Sequence, residues 1–289
     1  MRISGSWDPA KITEENRAAG RKAVHAAFEA GYRLFDHADI YARGECEAIY
    51  GEALKESADL RREAVVATKC GIRFPNDPDE GSPHRYDFSK EHILASCEGS
   101  LRRLGIETID VYQLHRPDLL MDPHEVAEAF AELKAAGKVR YFGVSNFLPS
   151  FVTALQSALP DRLVVNQVEI HLGRLDCLYD GTLDQCLADD ILPLSWSPLG
   201  GGWLGDGGTT DGPKRQAVLD LLDKIAGERG VSRTAVALAW LLKHPAKIVP
   251  IVGSANPDRI RDAVTADAVD LDREDWYRLL VAARGESLP

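Results

Sequence analysis

The chain has 289 residues, of which 45% are hydrophobic and 27% charged, and its formal net charge is −11. This acidic balance argues against general nucleic-acid binding, which needs a basic face. No run of roughly 18 apolar residues is present that could cross a membrane. The amino-terminal residues lack an apolar signal core, and the five cysteines are scattered without CxxC spacing. A reducing, cytoplasmic setting is therefore expected rather than a disulfide framework or a zinc site.

Short runs rich in β-branched and aliphatic residues predict eight strands along the chain. Several runs are apolar almost throughout, which is typical of parallel strands that are covered on both faces. The predicted strands lie at 3–7, 33–38, 64–70, 110–115, 141–146, 163–170, 192–199 and 248–253.

Amphipathic patterns between these runs predict helices. Ser89 precedes one helical run, and Asp122 precedes another with Pro123 at its first position, as helix starts require. Gly105 and Gly137 stand where helices should end. The predicted helices lie at 15–30, 45–57, 89–104, 123–136, 149–158, 181–189, 214–229, 232–244, 256–266 and 272–284.

Alternating strands and helices favour either a closed barrel or an open doubly wound sheet. No GxGxxG turn follows the first predicted strand, which counts against a dinucleotide-binding sheet. The length suits one α/β domain, a (β/α)8 TIM barrel over residues 1–289. The glycine-rich stretch 200–214 follows the seventh predicted strand, at the end of a barrel where active sites lie.

Polar residues mark the carboxyl ends of several predicted strands. Asp36, Lys69 and His115 end the second, third and fourth of them, Asn146 ends the fifth, and Ser197 lies near the end of the seventh. In a barrel such residues converge on the mouth, where catalytic groups come from several strands. Burying these charges costs several kcal/mol unless they pair. Their expected proximity therefore indicates a shared function.

A phenol at Tyr41 completes a candidate proton-transfer site. Tyr41 follows Asp36 by five residues. An ammonium at Lys69 would stabilise the phenolate and lower the tyrosine pKa, while the carboxylate keeps the ammonium charged. Such a site suits protonation of the alkoxide that forms when hydride reaches a carbonyl. No Ser-His-Asp signature or HExxH motif is present, so acyl transfer and zinc hydrolysis are disfavoured.

Seven sequence blocks resemble the signatures of the aldo-keto reductase family, in family order and at similar spacing. The resemblance covers nearly the whole chain and is closest to bacterial members with short loops. It implies a (β/α)8 barrel that reduces aldehydes or ketones with NADPH, with Tyr41 as the general acid. The blocks are FDHADIY, VVATKCG, YQLHRPD, FGVSNF, NQVEIH, SWSPLGGG and IVPIVGSANPDRI.

Carried over position by position, the resemblance implies a set of site residues. The catalytic tetrad would be Asp36, Tyr41, Lys69 and His115. The cofactor contacts would be Ser145, Asn146 and Gln167 at the nicotinamide carboxamide, Trp196 stacked on the nicotinamide, Ser197, Leu199 and Gly200 at the pyrophosphate, Gly253, Ser254 and Arg259 at the 2′-phosphate end, Asp262 near the adenine, and Gly5, Ser6 and Trp7 beside cofactor and substrate.

The chain departs from the family pattern in a few places. Gly253 stands where the family often has Lys, and Ala263 where it often has Asn. Arg259 still supplies a planar charge suited to phosphate, so NADPH is expected over NADH. A short loop after the fourth strand and an early end after the last helix imply an open substrate pocket. The family's usual amino-terminal hairpin, which closes the bottom of the barrel, does not precede the first predicted strand.

Two other functions remain open at this stage. A regulatory barrel could hold the nucleotide with little turnover, and a metal-dependent hydrolase could use the same fold. The hydrolase is disfavoured because the strand-end residues do not form a His/Asp/Glu ligand set, so no metal is expected. Among the remaining histidines, His37 and His171 are interpreted as structural and His84 as solvent-facing. The expected partner is a small carbonyl compound, with neither nucleic acid nor membrane.

Overall fold

The computed structural model describes residues 3–289. In it the chain forms two compact units. The first unit ends at Asn166 and the second runs from Gln167 to Pro289. A single domain over residues 1–289 therefore stays a prediction. None of the helices in the described part of the chain is long and apolar enough to cross a bilayer. All five cysteines are buried free thiols.

The first unit consists of parallel strands alternating with helices. Its helices are α1 (Glu14–Glu29), α2 (Glu45–Glu56), α3 (Ala58–Glu63), α4 (Lys90–Leu104), α5 (Pro123–Ala135) and α6 (Pro149–Gln156). Its strands are β1 (Leu34–Asp36), β2 (Val65–Cys70), β3 (Ile72–Arg73), β4 (Arg85–Tyr86), β5 (Ile109–Leu114) and β6 (Val139–Ser145). Strands β1, β2, β5 and β6 pair in parallel in that order, while β3 and β4 form a separate antiparallel hairpin.

The strand register places the polar strand-end residues on one face. Asp36 of β1 pairs with Ala67 of β2, and Lys69 lies two residues further along β2. Lys69 in turn pairs with Gln113 of β5, and His115 lies two residues beyond Gln113. Because side chains alternate along a strand with a period of two, all of these side chains point to the same side of the sheet.

Side-chain caps begin the helices at the predicted places. The Ser89 hydroxyl accepts from His92 N at 3.3 Å at the start of α4. The Asp122 carboxylate accepts from His124 N at 2.8 Å at the start of α5. Gly105 ends α4 with φ near 65°. These groups satisfy backbone donors and acceptors that the helix itself leaves unpaired.

The second unit is mostly helical around two further parallel strands. Its helices are α7 (Thr182–Ala188), α8 (Pro213–Arg229), α9 (Arg233–Leu242), α10 (Pro257–Val264) and α11 (Arg273–Arg284). Strands β8 (Leu192–Trp196) and β9 (Val249–Pro250) pair in parallel, and strand β7 (Val165–Glu169) spans the boundary between the units. Trp240 and Trp276 stack with centroids 5.1 Å apart, and each indole donates to the other's carbonyl, which joins α9 to α11.

The predicted strand at 3–7 is wrong. These residues form bends, because local side-chain hydrogen bonds replace a strand ladder. The Ser4 hydroxyl donates to Ser6 O at 2.7 Å, and the Ser6 hydroxyl accepts from Asp8 N at 3.1 Å. The seven other predicted strands are confirmed, although β9 has only two residues. The short helix α3 and the β3–β4 hairpin were not predicted.

Gly71 gives a test of how tightly the end of β2 is packed. Its φ is +104°, and an added Cβ would lie 2.1 Å from Cε1 of the buried Phe88. We expect Gly71→Ala to lower the free energy of unfolding by about 3 kcal/mol, from backbone strain plus overpacking. Gly137→Ala is the control, because Gly137 has φ +70° but nothing within 4 Å. The free energy of unfolding of Gly137→Ala, measured in urea, should fall by only about 1 kcal/mol. Equal losses in the two variants would contradict the packing argument.

Candidate active site

A buried ion pair forms the centre of the candidate site in the first unit. The Lys69 ammonium donates to both Asp36 carboxylate oxygens, at 2.8 and 2.7 Å. It also donates to the His37 carbonyl at 2.6 Å. Lys69 is fully buried and Asp36 nearly so. A buried ammonium is tolerated only when its protons are satisfied in this way.

The pair keeps Lys69 charged. Burial works to lower the pKa of Lys69, but the Asp36 carboxylate and the nearby Tyr41 outweigh it and raise that pKa above its usual value. The ammonium therefore remains a fixed positive charge at neutral pH. Such a charge favours any negative charge that develops beside it.

Tyr41 lies directly beside the ammonium. The Lys69 nitrogen is 5.3 Å from the centre of the Tyr41 ring. Burial raises the pKa of Tyr41, and although Lys69 opposes this through its charge and a hydrogen bond, the net direction is upward. The sequence interpretation, which considered only the ammonium, predicted a lowered pKa and is wrong in its net direction, because it could not weigh burial. The phenol therefore keeps its proton at neutral pH.

His115 is an uncharged imidazole against the same phenol. Its ring centre lies 5.8 Å from that of Tyr41, with the planes at 76°. Burial, with the charge of Lys69, holds the pKa of His115 well below its usual value. The Nδ1 atom of His115 is buried and has no hydrogen-bond partner within residues 3–289. The structure thus brings all four predicted tetrad residues together in the first unit.

Other predicted site residues of the first unit lie around this cluster. The Trp7 ring meets the Tyr41 ring edge-on at 5.8 Å, and Trp7 is 52% exposed. Asn146 follows β6 with φ of 62°, and its amide donates to His115 O at 3.3 Å and to the Ser145 hydroxyl at 2.8 Å. Gly5 is exposed and Ser6 half-buried in the preceding bend.

Two buried polar groups near the tetrad were missed from the sequence. The Gln113 amide lies 3.4 Å from the Asp36 carboxylate, and Gln113 is fully buried in β5. Glu47 of α2 is also fully buried, and it bonds Thr68 and Arg103. A polar residue between apolar neighbours near the end of a buried strand could have indicated Gln113. Glu47 carried no such signal, because a charged residue in the first turn of a helix is ordinary.

Four predicted residues of the second unit lie at or just after the end of β8, and a fifth lies in β7. Trp196 is the last residue of β8 and is half-buried. Ser197 has φ of 51°, and its carbonyl accepts from Gly200 N at 2.7 Å. The Leu199 carbonyl accepts from Gly202 N at 2.9 Å, which makes residues 197–202 a compact turn. A fifth predicted residue, Gln167, is buried in β7.

The remaining predicted residues lie around the start of α10. Gly253 is exposed with open space around it, and the Ser254 hydroxyl accepts from Asn256 N at 3.1 Å. Arg259 is exposed, and its guanidinium has no ion-pair or hydrogen-bond partner in the described chain. Asp262 accepts from the Ser232 hydroxyl at 2.9 Å, so part of its bonding capacity is used to join α10 to the start of α9.

The donor groups of each unit, taken separately, fit parts of a nicotinamide dinucleotide. In the first unit, the partnerless His115 Nδ1 and the Asn146 amide offer polar groups beside the tetrad. In the second unit, the unpaired Arg259 guanidinium offers a charge that matches a phosphate dianion. Residues 3–289 contain no group of three His, Cys, Asp or Glu side chains placed to hold a metal ion.

Sequence comparison places the chain among oxidoreductases. The sequence model of the aldo/keto reductase family matches residues 1–281. Oxidoreductase YcsN of Bacillus subtilis is 46% identical, with 99% of this chain and 95% of that protein covered. A 6-dehydroglucose reductase of Novosphingobium aromaticivorans is 42% identical, with 98% of this chain and 92% of that protein covered. Oxidoreductase YdhF of Escherichia coli is 41% identical, with 99% of this chain and 94% of that protein covered.

Solved structures of similar proteins show the fold. A glycerol dehydrogenase, AKR11B4, from Gluconobacter oxydans matches with a TM-score of 0.83 and 27% identity, over 94% of this chain and 88% of that one. An aldo-keto reductase from Klebsiella pneumoniae in complex with NADPH matches with a TM-score of 0.75 and 27% identity, over 91% and 84%. With the family match, these confirm the predicted fold class, α/β of the (β/α)8-barrel type.

Asp39, two residues before Tyr41, gives a prediction about pH. Its Oδ1 atom is buried without a hydrogen-bond partner within residues 3–289. Burial and the charge of Glu47 raise the pKa of Asp39 from 3.8 to about 8, although Arg103 opposes this. The folded chain therefore holds a proton that the unfolded chain releases. Stability from this group is complete below about pH 4 and is lost as the pH rises towards 8.

Asp39→Asn should remove this dependence, because the amide cannot ionise. As the pH rises between these limits, we expect the free energy of unfolding of the variant, relative to that of the wild type, to increase by up to about 1.4 kcal/mol per pH unit. Urea unfolding at several pH values measures the difference. The exposed Asp79→Asn is the control and should run parallel to the wild type. A constant offset between Asp39→Asn and the wild type would contradict the shifted pKa.

Proposed function

Because the chain belongs to the aldo/keto reductase family, an oxidoreductase family whose model matches residues 1–281, we propose that it is an NADPH-dependent carbonyl reductase with Tyr41 as its general acid. The observation that supports this most directly is the buried Lys69–Asp36 pair beside the Tyr41 phenol. An uncharged His115 lies on the same phenol. This arrangement can deliver a proton to an oxygen and stabilise the anion left behind.

The raised pKa of Tyr41 suits the role of a general acid. Burial keeps the phenol protonated in the resting site, so a proton is available at neutral pH. The Lys69 ammonium would then stabilise the phenolate that proton transfer leaves, because it carries a fixed positive charge 5.3 Å from the centre of the phenol ring. Asp36 keeps that ammonium charged and oriented. NADPH, when bound, would supply the hydride for the carbonyl carbon.

His115 would orient the substrate rather than carry the proton. Its imidazole is uncharged at neutral pH, because burial and Lys69 lower its pKa. A neutral imidazole can donate one hydrogen bond to a carbonyl oxygen without competing with Tyr41 for the proton. The half-exposed Trp7, edge-on to Tyr41, would supply an apolar wall for the substrate.

Each unit would contribute its own cofactor contacts. In the first unit, Ser145 and Asn146 would bond the nicotinamide carboxamide, with Gly5 and Ser6 nearby. In the second unit, Gln167 would make a polar contact, and further contacts would come from residues at the end of β8 and the start of α10. Those residues are Trp196 against the nicotinamide, Ser197, Leu199 and Gly200 at the pyrophosphate, and Gly253, Ser254, Arg259 and Asp262 at the adenosine 2′-phosphate end.

The substrate would be a small aldehyde or ketone. Enzymes of this family act on small molecules, and two of the relatives are named a 6-dehydroglucose reductase and a glycerol dehydrogenase. Oxidised sugars and polyol-derived ketones therefore belong in the test panel beside simple aldehydes. The five free thiols suit a reducing compartment, and we propose the cytoplasm.

Replacement of Tyr41 tests the proton donor. We expect Tyr41→Phe to lower kcat for aldehyde reduction by at least about 100-fold, because it removes only the acidic hydroxyl. NADPH should still bind, as measured by quenching of tryptophan fluorescence. Wild-type kcat in the variant would show that Tyr41 is not the acid.

Tyr50→Phe is a matched control for that experiment. The Tyr50 hydroxyl is buried in α2 and has no hydrogen-bond partner in the described residues, so its loss should leave kcat unchanged. Tight NADPH binding by the wild type without turnover of any aldehyde or ketone would instead favour a regulatory nucleotide-binding protein.

Replacement of Arg259 tests the choice of cofactor. We expect Arg259→Ala to raise KM for NADPH at least about 10-fold while KM for NADH stays nearly constant, because only NADPH carries the 2′-phosphate. Arg261→Ala is the control, since Arg261 lies on the same helix and pairs with Asp258 at 3.3 Å. An equal change for both cofactors would contradict the phosphate contact.

A further inference from the structure

The turn that follows Tyr41 has an unusual backbone. Ala42, Arg43 and Gly44 have φ values of 48°, 53° and 93° in succession. Residues with a Cβ rarely adopt positive φ, and they do so only where the surrounding structure holds them. The chain immediately after the phenol is therefore held from outside rather than by its own preference.

Arg103 of α4 packs against this turn. A Cβ added at Gly44 would lie 2.5 Å from the Arg103 Cδ atom, so the arginine stem occupies the space beside the glycine. The Arg103 Nε then donates to the Glu47 carboxylate at 2.7 Å. Glu47 lies in the first turn of α2, directly after the strained segment. One arginine thus contacts both the turn and the helix that begins there.

Glu47 also connects the turn to the strand that carries Lys69. Its other carboxylate oxygen accepts from the Thr68 hydroxyl at 2.6 Å, and both residues are fully buried. Thr68 immediately precedes Lys69 in β2. Because neighbouring residues of a strand point to opposite faces, Thr68 reaches α2 on one side while Lys69 reaches Asp36 on the other.

On the site side, the same segment has a weaker attachment. Asp39 N donates to Lys69 O at 3.1 Å, and Tyr41 N donates to Ala38 O at 3.1 Å. These bonds fix the chain before Tyr41. Within the turn, Arg43 N donates to Ile40 O at 3.0 Å, which closes the turn on itself but does not join it to β2. Among the described side-chain contacts, the group of Thr68, Glu47 and Arg103, hereafter the Glu47 network, joins the turn to β2. Thr68 and Glu47 are fully buried in this network, and Arg103 is partly exposed.

We infer that Glu47 is a positioning residue, which holds Tyr41 at its working distance from Lys69 by fixing the turn to Thr68 and Arg103. This inference rests on the proposed function, since Tyr41 is taken there as the acid. Glu47 touches neither substrate nor cofactor in this account. Small displacements matter because a shift of about 1 Å in a reacting group can cost roughly 100-fold in rate.

Two substitutions of Thr68 separate positioning from general stability. Thr68→Val keeps the shape of the side chain and removes the hydroxyl that bonds Glu47. Thr68→Ser keeps the hydroxyl and removes a buried methyl group instead. A purely structural role would make both variants less stable without changing kcat per folded molecule, whereas a positioning role makes kcat follow the hydroxyl.

The experiment compares the full-length chain in these forms with NADPH and a reducible aldehyde. We expect Thr68→Val to lower kcat about 10-fold with KM within about twofold of the wild type. Thr68→Ser should restore most of the wild-type kcat. Arg103→Met, which removes the other bond to Glu47, should resemble Thr68→Val. Unfolding in urea measures stability separately, so that rates refer to folded protein.

Hydrogen exchange of peptides covering residues 38–46 gives a readout that does not depend on turnover. Exchange should become faster in Thr68→Val and stay near the wild-type rate in Thr68→Ser. If the wild type reduces no carbonyl compound, the proposed function fails, but the exchange result still decides whether the network holds the turn. Unchanged exchange and kcat in Thr68→Val, or equal kcat losses in both Thr68 variants, would overturn the inference.

Discussion

The first unit depends on one buried charge that must be compensated. The Lys69 ammonium is fully buried, and in such surroundings an unpaired charge would cost several kcal/mol. The Asp36 carboxylate and the His37 carbonyl accept its hydrogen bonds. This requirement explains why adjacent strands end in opposite charges, and why the chain from β1 to α2 passes so close to β2.

The surroundings of that ion pair are kept neutral. Burial raises the pKa of Tyr41 and lowers that of His115, so a protonated phenol and an uncharged imidazole lie side by side at neutral pH. Both groups can donate a hydrogen bond to a substrate oxygen. Under the proposed function, the fixed positive charge of Lys69 would stabilise negative charge that forms on the Tyr41 phenol.

The segment between β1 and the first turn of α2 contains two buried carboxyl groups in different surroundings. Asp39 carries an electrostatic cost, since burial beside Glu47 raises its pKa to about 8. The buried Glu47 carboxylate accepts hydrogen bonds from Thr68 and Arg103. In a chain of net charge −11, such local pairing matters more than the overall field. Arg259 is a further local charge, a cation exposed at the start of α10.

The sequence by itself determined the alternation of strands and helices, the helix caps and the strand-end positions of Asp36, Lys69 and His115. These depend on local periodicity and spacing, which the chain carries directly. Only the tertiary structure decided that residues 3–7 form bends, that burial outweighs the ammonium at Tyr41, and that Glu47 meets Thr68 and Arg103. Burial and contacts between remote residues set these outcomes, and neither has a period that can be recognised along the chain.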